Sequence, residues 1–310
     1  MRSILSKAKL GSHPDGRPPA AVELAPQGVL AAATPAPGQP LVFAFEPLQA
    51  GALTPGIAEQ NVKAPEAVAA VLRTALGQVS PRSRSVTLVL PDSVVRVFIL
   101  DFDSLPSKAA EAVPVLRFRL RKMIPFDVEH AGLSYQVLTE NKTECRVLAA
   151  ILPGPILAEY EAVVRQAGYE PGVVLSSSLA ALAAVDKMEA VLVANLTDHA
   201  LTTSIANGQD LLLYRTLDLP EDPGQRLDEV QRDIAVAAAF YEDKLGSRPH
   251  VLHFSGASAN GGNPAEEFAR CLNDPEMSVA ELAPRPETGA TTAWGSLSVA
   301  GVTGALAGAV

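Results

Sequence analysis

Cysteine is scarce in this chain. Cys145 and Cys271 are the only two among 310 residues, and they lie too far apart in the sequence for a CxxC motif. We therefore expect neither a disulfide framework nor a cysteine metal site. Two free thiols suit a reducing compartment, which favours the cytosol.

Long apolar runs are missing as well. No segment reaches the ~18 apolar residues that a membrane-spanning helix needs. Residues 1–20 carry Arg2, Lys7, Lys9 and Arg17 without a continuous apolar stretch, so we expect no secretory signal. We predict a flexible terminus over residues 1–19, with a short basic amphipathic turn on a membrane surface as the alternative.

An excess of positive charge is also absent. The chain has 25 Lys and Arg against 34 Asp and Glu, a net charge of -9. Nucleic-acid binding is not expected, because it depends on clustered cations. The P-loop, HExxH and G-x-S-x-G motifs do not occur, so no common nucleotide, zinc or hydrolase signature is present.

The chain has enough hydrophobic residues, 48% of 310, to form the cores of two domains. Proline and glycine divide the chain into elements. The first part predicts three antiparallel strands at 20–24, 29–34 and 41–45, and then a helix from Pro65 to Gly77. A buried strand follows at 86–90.

A small inserted module is predicted over residues 92–172. It contains a strand at 94–100, a helix at 105–124, a hairpin of strands at 131–139 and 145–152, and a second helix at 156–167. Pro114 predicts that the first helix is kinked there or begins near Val113. The apolar stripe of this helix comprises Val113, Leu116, Leu120, Met123 and Ile124.

A second set of three strands and a helix resembles the first, as two halves of a duplicated fold would. The strands are predicted at 191–195, 201–205 and 211–217, with Asn207-Gly208 as a hairpin turn. A long helix bearing Leu227 on its apolar stripe ends at Gly246, a strand follows at 251–254, and a last helix is predicted within 296–310.

This order of elements resembles the PilM family, the cytoplasmic actin-like component of bacterial type IV pilus assembly. The most specific segments are LPDSV at 90–94, MIPF at 123–126 with YQVL at 135–138, and AGYEP at 167–171. The resemblance implies an α/β, actin-like (ribonuclease H-like) fold of two lobes. It places lobe I at 20–91, 173–190 and 287–310, the module (subdomain 1C of the family) at 92–172, and lobe II at 191–286.

Actin-like ATPases bind phosphates through hairpins with an Asp-Ile-Gly pattern. The resemblance places the first pattern on Glu23-Leu24-Ala25 and the second on Asn195-Leu196-Thr197, with Asp198 next to it. The adenosine turn, typically Gly-Gly, falls on residues 255–258, beginning Ser255-Gly256. Glu23 keeps a carboxylate that could still reach a metal, but Asn195 has lost the charge, glycines are replaced, and Pro26 after Ala25 lacks an amide donor. These changes predict a degenerate site that binds ATP and Mg²⁺ weakly or not at all and requires no cofactor. The alternative interpretation is that Glu23, Asn195 and Asp198 are ordinary hairpin-end residues.

The inserted module is the better candidate for function. Phe118 lies off the apolar stripe among cations, and such a side chain can anchor a partner segment. The alternative is a solvated basic face with Phe118 covered by a loop. In the family, the cleft beside this module receives the N-terminal tail of the membrane protein PilN. We expect partner-binding residues at Pro91, Asp92, Val94, Phe118, Arg121, Lys122 and Phe126.

The sequence therefore predicts a cytoplasmic scaffold held at the inner membrane by a PilN-like partner, with pilus motor ATPases as further partners. A working actin-like ATPase is one alternative, although its phosphate hairpins would be intact. The cytoplasmic region of a type II secretion platform protein is another, against which the lack of a membrane span speaks.

Overall fold

A computed structural model describes residues 17–36, 39–185, 189–208, 210–256, 263–283 and 297–307. Within them the strands are β1 (Ala20–Ala25), β2 (Gly28–Ala33), β3 (Val42–Pro47), β4 (Ser85–Leu90), β5 (Arg96–Phe102), β6 (Gly132–Glu140), β7 (Cys145–Leu152), β8 (Glu170–Ser176), β9 (Ala190–Leu196), β10 (Ala200–Asn207), β11 (Asp210–Asp218), β12 (Val251–Gly256) and β13 (Ser278–Glu281). The helices are α1 (Pro65–Val79), α2 (Ala109–Leu120), α3 (Gly154–Gln166), α4 (Ser177–Ala181), α5 (Pro223–Leu245), α6 (Pro264–Leu272) and α7 (Ala300–Leu306).

Two five-stranded sheets share one topology. Their strand orders are β3-β2-β1-β4-β8 and β11-β10-β9-β12-β13. In each sheet the first three strands are antiparallel and the next two join in parallel. This repetition confirms the two-lobed fold predicted from the duplicated order of elements.

The second lobe contains two elements that the sequence pattern did not indicate, helix α6 and the edge strand β13. Both elements are short, since α6 has nine residues and β13 has four. Asn263 caps α6 by accepting hydrogen bonds from the backbone N–H groups of Ala265 and Glu266. Leu227, which we placed on the buried stripe of α5, is exposed.

The inserted module is a three-stranded antiparallel sheet in the order β5-β7-β6, with α2 packed on it. The chain leaves β4 through a short 3-10 turn (Asp92–Val94) before β5 begins at Arg96, two residues later than predicted. Helix α3, predicted as part of the module, packs against α1 and β8 and contributes Tyr160 to the core of the first lobe. The module's own core therefore lies between α2 and its sheet.

Helix α2 begins at Ala109 and runs through Pro114, so the prediction of a start near Val113 is wrong. Proline lacks the N–H that would bond to the carbonyl four residues earlier. The helix continues because Leu116 and Leu120 are completely buried against the module sheet. It ends at Leu120, before the predicted residue 124, and Met123 is exposed instead of lying on the apolar stripe.

Helix α7 lies within the predicted last helix and is buried in the first lobe. A Cβ at Gly304 would overlap the carbonyl oxygen of Ala180 in α4, so only glycine permits this close approach. The guanidinium of Arg17 donates hydrogen bonds to the carbonyls of Gly304 and Ala307. These contacts join the first described residues of the chain to its last helix.

Candidate functional site

The cleft between the lobes is formed where the β1–β2 and β9–β10 hairpins face each other. Its described lining includes most of the residues predicted as a nucleotide site, namely Glu23, Asn195, Thr197, Asp198, Ser255 and Gly256. Leu24, Ala25, Pro26, Pro55, Pro91 and Leu196 provide apolar walls. The structure therefore brings the two predicted hairpins together at one place.

Glu23 is a buried carboxylic acid in this cleft. Its Oε1 accepts a hydrogen bond of 2.6 Å from the hydroxyl of Ser177, whereas its Oε2 is buried without a partner among the described residues. Burial raises the pKa of Glu23 to about 7; the Ser177 hydrogen bond opposes that rise and the nearby carboxylate of Asp92 adds to it. Glu23 therefore changes its charge near neutral pH.

Asp92 and Asn195 form a buried polar network. The side-chain amide of Asn195 donates hydrogen bonds of 2.9 Å to the carboxylate of Asp92 and to the hydroxyl of Ser178. Ser178 donates to Asp92 through both its hydroxyl and its backbone N–H. Burial still raises the pKa of Asp92 above its usual range, against the effect of these donors.

The neighbouring predicted residues stabilise local turns. The hydroxyl of Thr197 closes the β9–β10 turn through hydrogen bonds of 3.1 Å with the backbone N–H and carbonyl of Ala200. Asp198 accepts a hydrogen bond from Gln27 of the first lobe at the exposed edge of the cleft. Gly256 approaches the ring of Phe254 closely, and residues 257 and 258 of the predicted adenosine turn lie outside the described residues.

The described lining contains no Lys or Arg. Its titratable groups are Glu23, Asp198 and His199, and the carboxylate of Asp92 is close enough to influence Glu23. A phosphate site normally supplies backbone amides, cations or a metal held by free carboxylates. Here Pro26 has no N–H, and both oxygens of Asp92 already accept hydrogen bonds. These described residues therefore offer a bound phosphate neither a cation nor the amide that Pro26 lacks.

Sequence reasoning missed the roles of Ser177 and Ser178. Of the three serines at 176–178, Ser176 caps α4 by accepting a hydrogen bond from the backbone N–H of Leu179. The other two bind the cleft carboxylates. Three successive serines after a buried strand were the available signal, but their partners are distant in sequence.

The predicted partner-binding residues fall into two groups. Pro91, Asp92 and Val94 are buried at the junction between β4 and the module, where Pro91 also lines the cleft between the lobes. Phe126 is half-buried and packs against the core of the module.

The outer face of α2 is exposed, in contrast to that junction. Phe118 is 72% exposed, so it is not covered by a described loop. Arg119 and Lys122 flank it on the surface, and Arg121 forms an ion pair with Glu129. Arg117 instead holds the following loop by donating to the carbonyls of Val128 and Ala131. Phe118, Arg119, Arg121 and Lys122 together form the outer face of α2.

No protein-family model and no curated protein matches this chain. Among solved structures, it is similar to the PilM-PilN type IV pilus biogenesis complex, with 18% identity, a TM-score of 0.71, and coverage of 94% of this chain and 98% of that one. It is also similar to the cytoplasmic domain of EpsL, an inner membrane component of the type II secretion system of Vibrio cholerae. There the identity is 14%, the TM-score is 0.50, and the coverage is 93% and 94%.

These identities establish similarity of fold. Among the described helices, none is long and apolar enough to cross a membrane. The resemblance to PilM drawn from the sequence segments is confirmed at the level of the fold. The chain thus has the two-lobed, actin-like fold with an inserted module, similar to PilM in its complex with PilN.

Proposed function

We propose that this protein is a scaffold at the cytoplasmic face of the inner membrane, where it binds the N-terminal tail of a PilN-like membrane protein. The observation that carries the proposal is the similarity to the PilM-PilN complex over nearly the whole of both chains. The exposed Phe118 on the inserted module supports it, because a large apolar side chain in water is a candidate anchor for a partner.

Docking would use the outer face of α2 and the adjoining Phe126. Phe118 would bury its ring against the tail, whereas Arg121 and Lys122 would attract acidic groups and speed association. An extended tail could add main-chain hydrogen bonds to these side-chain contacts. Because Pro91, Asp92 and Val94 are buried, we expect them to support the junction between β4 and the module.

The test is binding of a synthetic PilN-like tail peptide to Phe118→Ala and Arg121→Glu variants, measured by calorimetry. We expect several-fold weaker binding by each variant. Val236→Ala is the matched control, because Val236 is an exposed apolar residue on α5 of the other lobe. Unchanged affinity in both module variants would contradict docking at this face.

We also propose that ATP binds weakly or not at all. The acidic lining of the cleft, the missing amide at Pro26 and the commitment of Asn195 to Asp92 support this proposal. Calorimetry with magnesium ATP is the measurement. A dissociation constant in the low micromolar range, about -8 kcal/mol, would contradict it and favour the alternative of a working actin-like ATPase.

A type II secretion scaffold is a second candidate, supported by the similarity to the EpsL cytoplasmic domain. The two candidates differ in the membrane protein that is bound. Pull-down with the cytoplasmic tails of the pilus and secretion components from the same cell would separate them, since the correct tail should be retained and lost again in Phe118→Ala.

A further inference from the structure

One buried carboxylate connects the three parts of the molecule. Asp92 is 1% exposed and lies in the 3-10 turn between β4 and the inserted module. Ser178, at the start of α4 in the first lobe, donates to it through its backbone N–H at 3.1 Å and through its hydroxyl. Asn195, on β9 of the second lobe, donates to it at 2.9 Å.

In a two-lobed fold that closes on a ligand, contacts with the ligand hold the two lobes together. Here side chains of the protein span the same cleft. We propose that Asp92, Ser178 and Asn195 form a latch that holds the lobes closed without a ligand and couples this closure to the position of the inserted module.

Burial makes this connection strong. A carboxylate removed from water needs its hydrogen-bond donors, because losing one leaves charge without compensation. Opening the cleft would withdraw Asn195 from Asp92, and water would have to enter to replace it. The contact from Gln27 of the first hairpin to Asp198 of the second is exposed instead, and water can replace it at little cost.

The coupling to the module follows from the neighbouring Arg96. This residue begins β5, and its guanidinium donates to the backbone carbonyl of Ser93 at 3.3 Å and to the carboxylate of Asp218 in β11 at 2.7 Å. The turn that contains Asp92 is therefore attached to the second lobe at both ends. A displacement of the second lobe would move the first strand of the module with it.

The test measures the distance between the lobes in the full chain by electron paramagnetic resonance of two spin labels. One label is attached to Cys271, which is exposed in α6, and the other to a cysteine introduced by Glu66→Cys on the exposed surface of α1. Cys145 is buried and should stay unlabelled. Without added ligand, the unsubstituted latch should give one narrow distance distribution.

Asn195→Asp places a second carboxylate against Asp92, and we expect a longer and broader distance distribution. Asn195→Ala removes the donor without adding charge, so it should give a smaller change and decides the test if Asn195→Asp does not fold. Gln27→Ala is the matched control. It removes the exposed contact with Asp198 across the same cleft and should leave the distance between the labels unchanged. Unchanged distributions in the folded Asn195 variants would overturn the latch.

Hydrogen exchange tests the coupling separately. In Asn195→Ala, backbone amides at 92–96 should exchange at least severalfold faster than in the parent chain, because the turn loses one of its two attachments to the second lobe. A longer distance between the lobes with unchanged exchange at this turn would overturn the coupling to the module.

Discussion

A carboxylate that water solvates in the unfolded chain becomes buried when Glu23 packs beside Ser177 and α7. A Cβ at Gly301 would overlap the Oε2 atom of Glu23, so the helix leaves no space for further groups on that side. The sequence places an acidic residue at the end of β1, but its perturbed chemistry arises from the packing around it.

We predict that Glu23→Gln changes how stability depends on pH. The pKa rises from 4.5 to about 7 on folding, so the folded state holds the proton more tightly than the unfolded state. Below about pH 4.5 the proton is bound in both states, and the stabilisation is lost as pH rises through 7. At pH 8 the free energy of unfolding of Glu23→Gln should therefore exceed that of the parent chain by roughly 1–3 kcal/mol. At pH 4 the two free energies should be equal.

Urea unfolding at a series of pH values measures this difference. Glu66→Gln, on the exposed face of α1, is the control and should leave the pH dependence unchanged. A Glu23→Gln curve parallel to that of the parent chain across pH 4–8 would show that Glu23 titrates normally.

At the scale of elements, two glycines in helices differ in whether the surrounding structure has space for a side chain. Gly77 lies in the last turns of α1 with open space around it, whereas Gly304 in α7 meets the backbone of α4. Both glycines lower helix propensity to the same extent. Only the neighbouring helix distinguishes them.

We predict that Gly304→Ala destabilises the protein by about 1–3 kcal/mol, because the added methyl group overlaps the carbonyl of Ala180 and forces the two helices apart. Gly77→Ala should instead stabilise it by about 0.5–1 kcal/mol. Chemical unfolding of both variants compares them directly. Equal effects of the same sign would show that α7 is not packed closely against α4.

At the scale of the whole molecule, the second lobe has a hydrophobic core of its own. Ile234, Leu252 and Phe268 belong to one buried cluster. Strands β1 and β4 and helix α7 share another cluster, which also takes in Val193 and Tyr214 of the second lobe. The module forms a third cluster under α2. Such separate cores allow one part to loosen while the others remain folded.

We predict that Ile234→Ala, which empties part of the second core, costs about 2–5 kcal/mol of stability in that lobe. Amides of β9, β10 and α5 should exchange faster by hydrogen-exchange mass spectrometry, while those of β1 and β4 should change little. Val236→Ala on the exposed face of the same helix is the control. An equal increase in exchange throughout the chain would indicate a single cooperative unit.

The sequence by itself determined the order of the elements and their duplication. Apolar periodicity and the punctuation by proline and glycine were sufficient, because each strand or helix buries one regular face. They predicted the two meanders, the inserted module and the position of both cleft hairpins. The place of Phe118 off the stripe of α2 left open whether a loop covers it, and the structure shows that its side chain is exposed.

Tertiary structure alone decided which residues remain at the surface and which bind one another. Asp92 looked like a surface residue of the module, but it is buried because Ser178 and Asn195, 86 and 103 residues away, supply its donors. Helix α3 joined the first lobe because its apolar face matches α1 and β8. Contacts between distant parts of a chain leave no periodic signal in the sequence, because they depend on how completed elements pack.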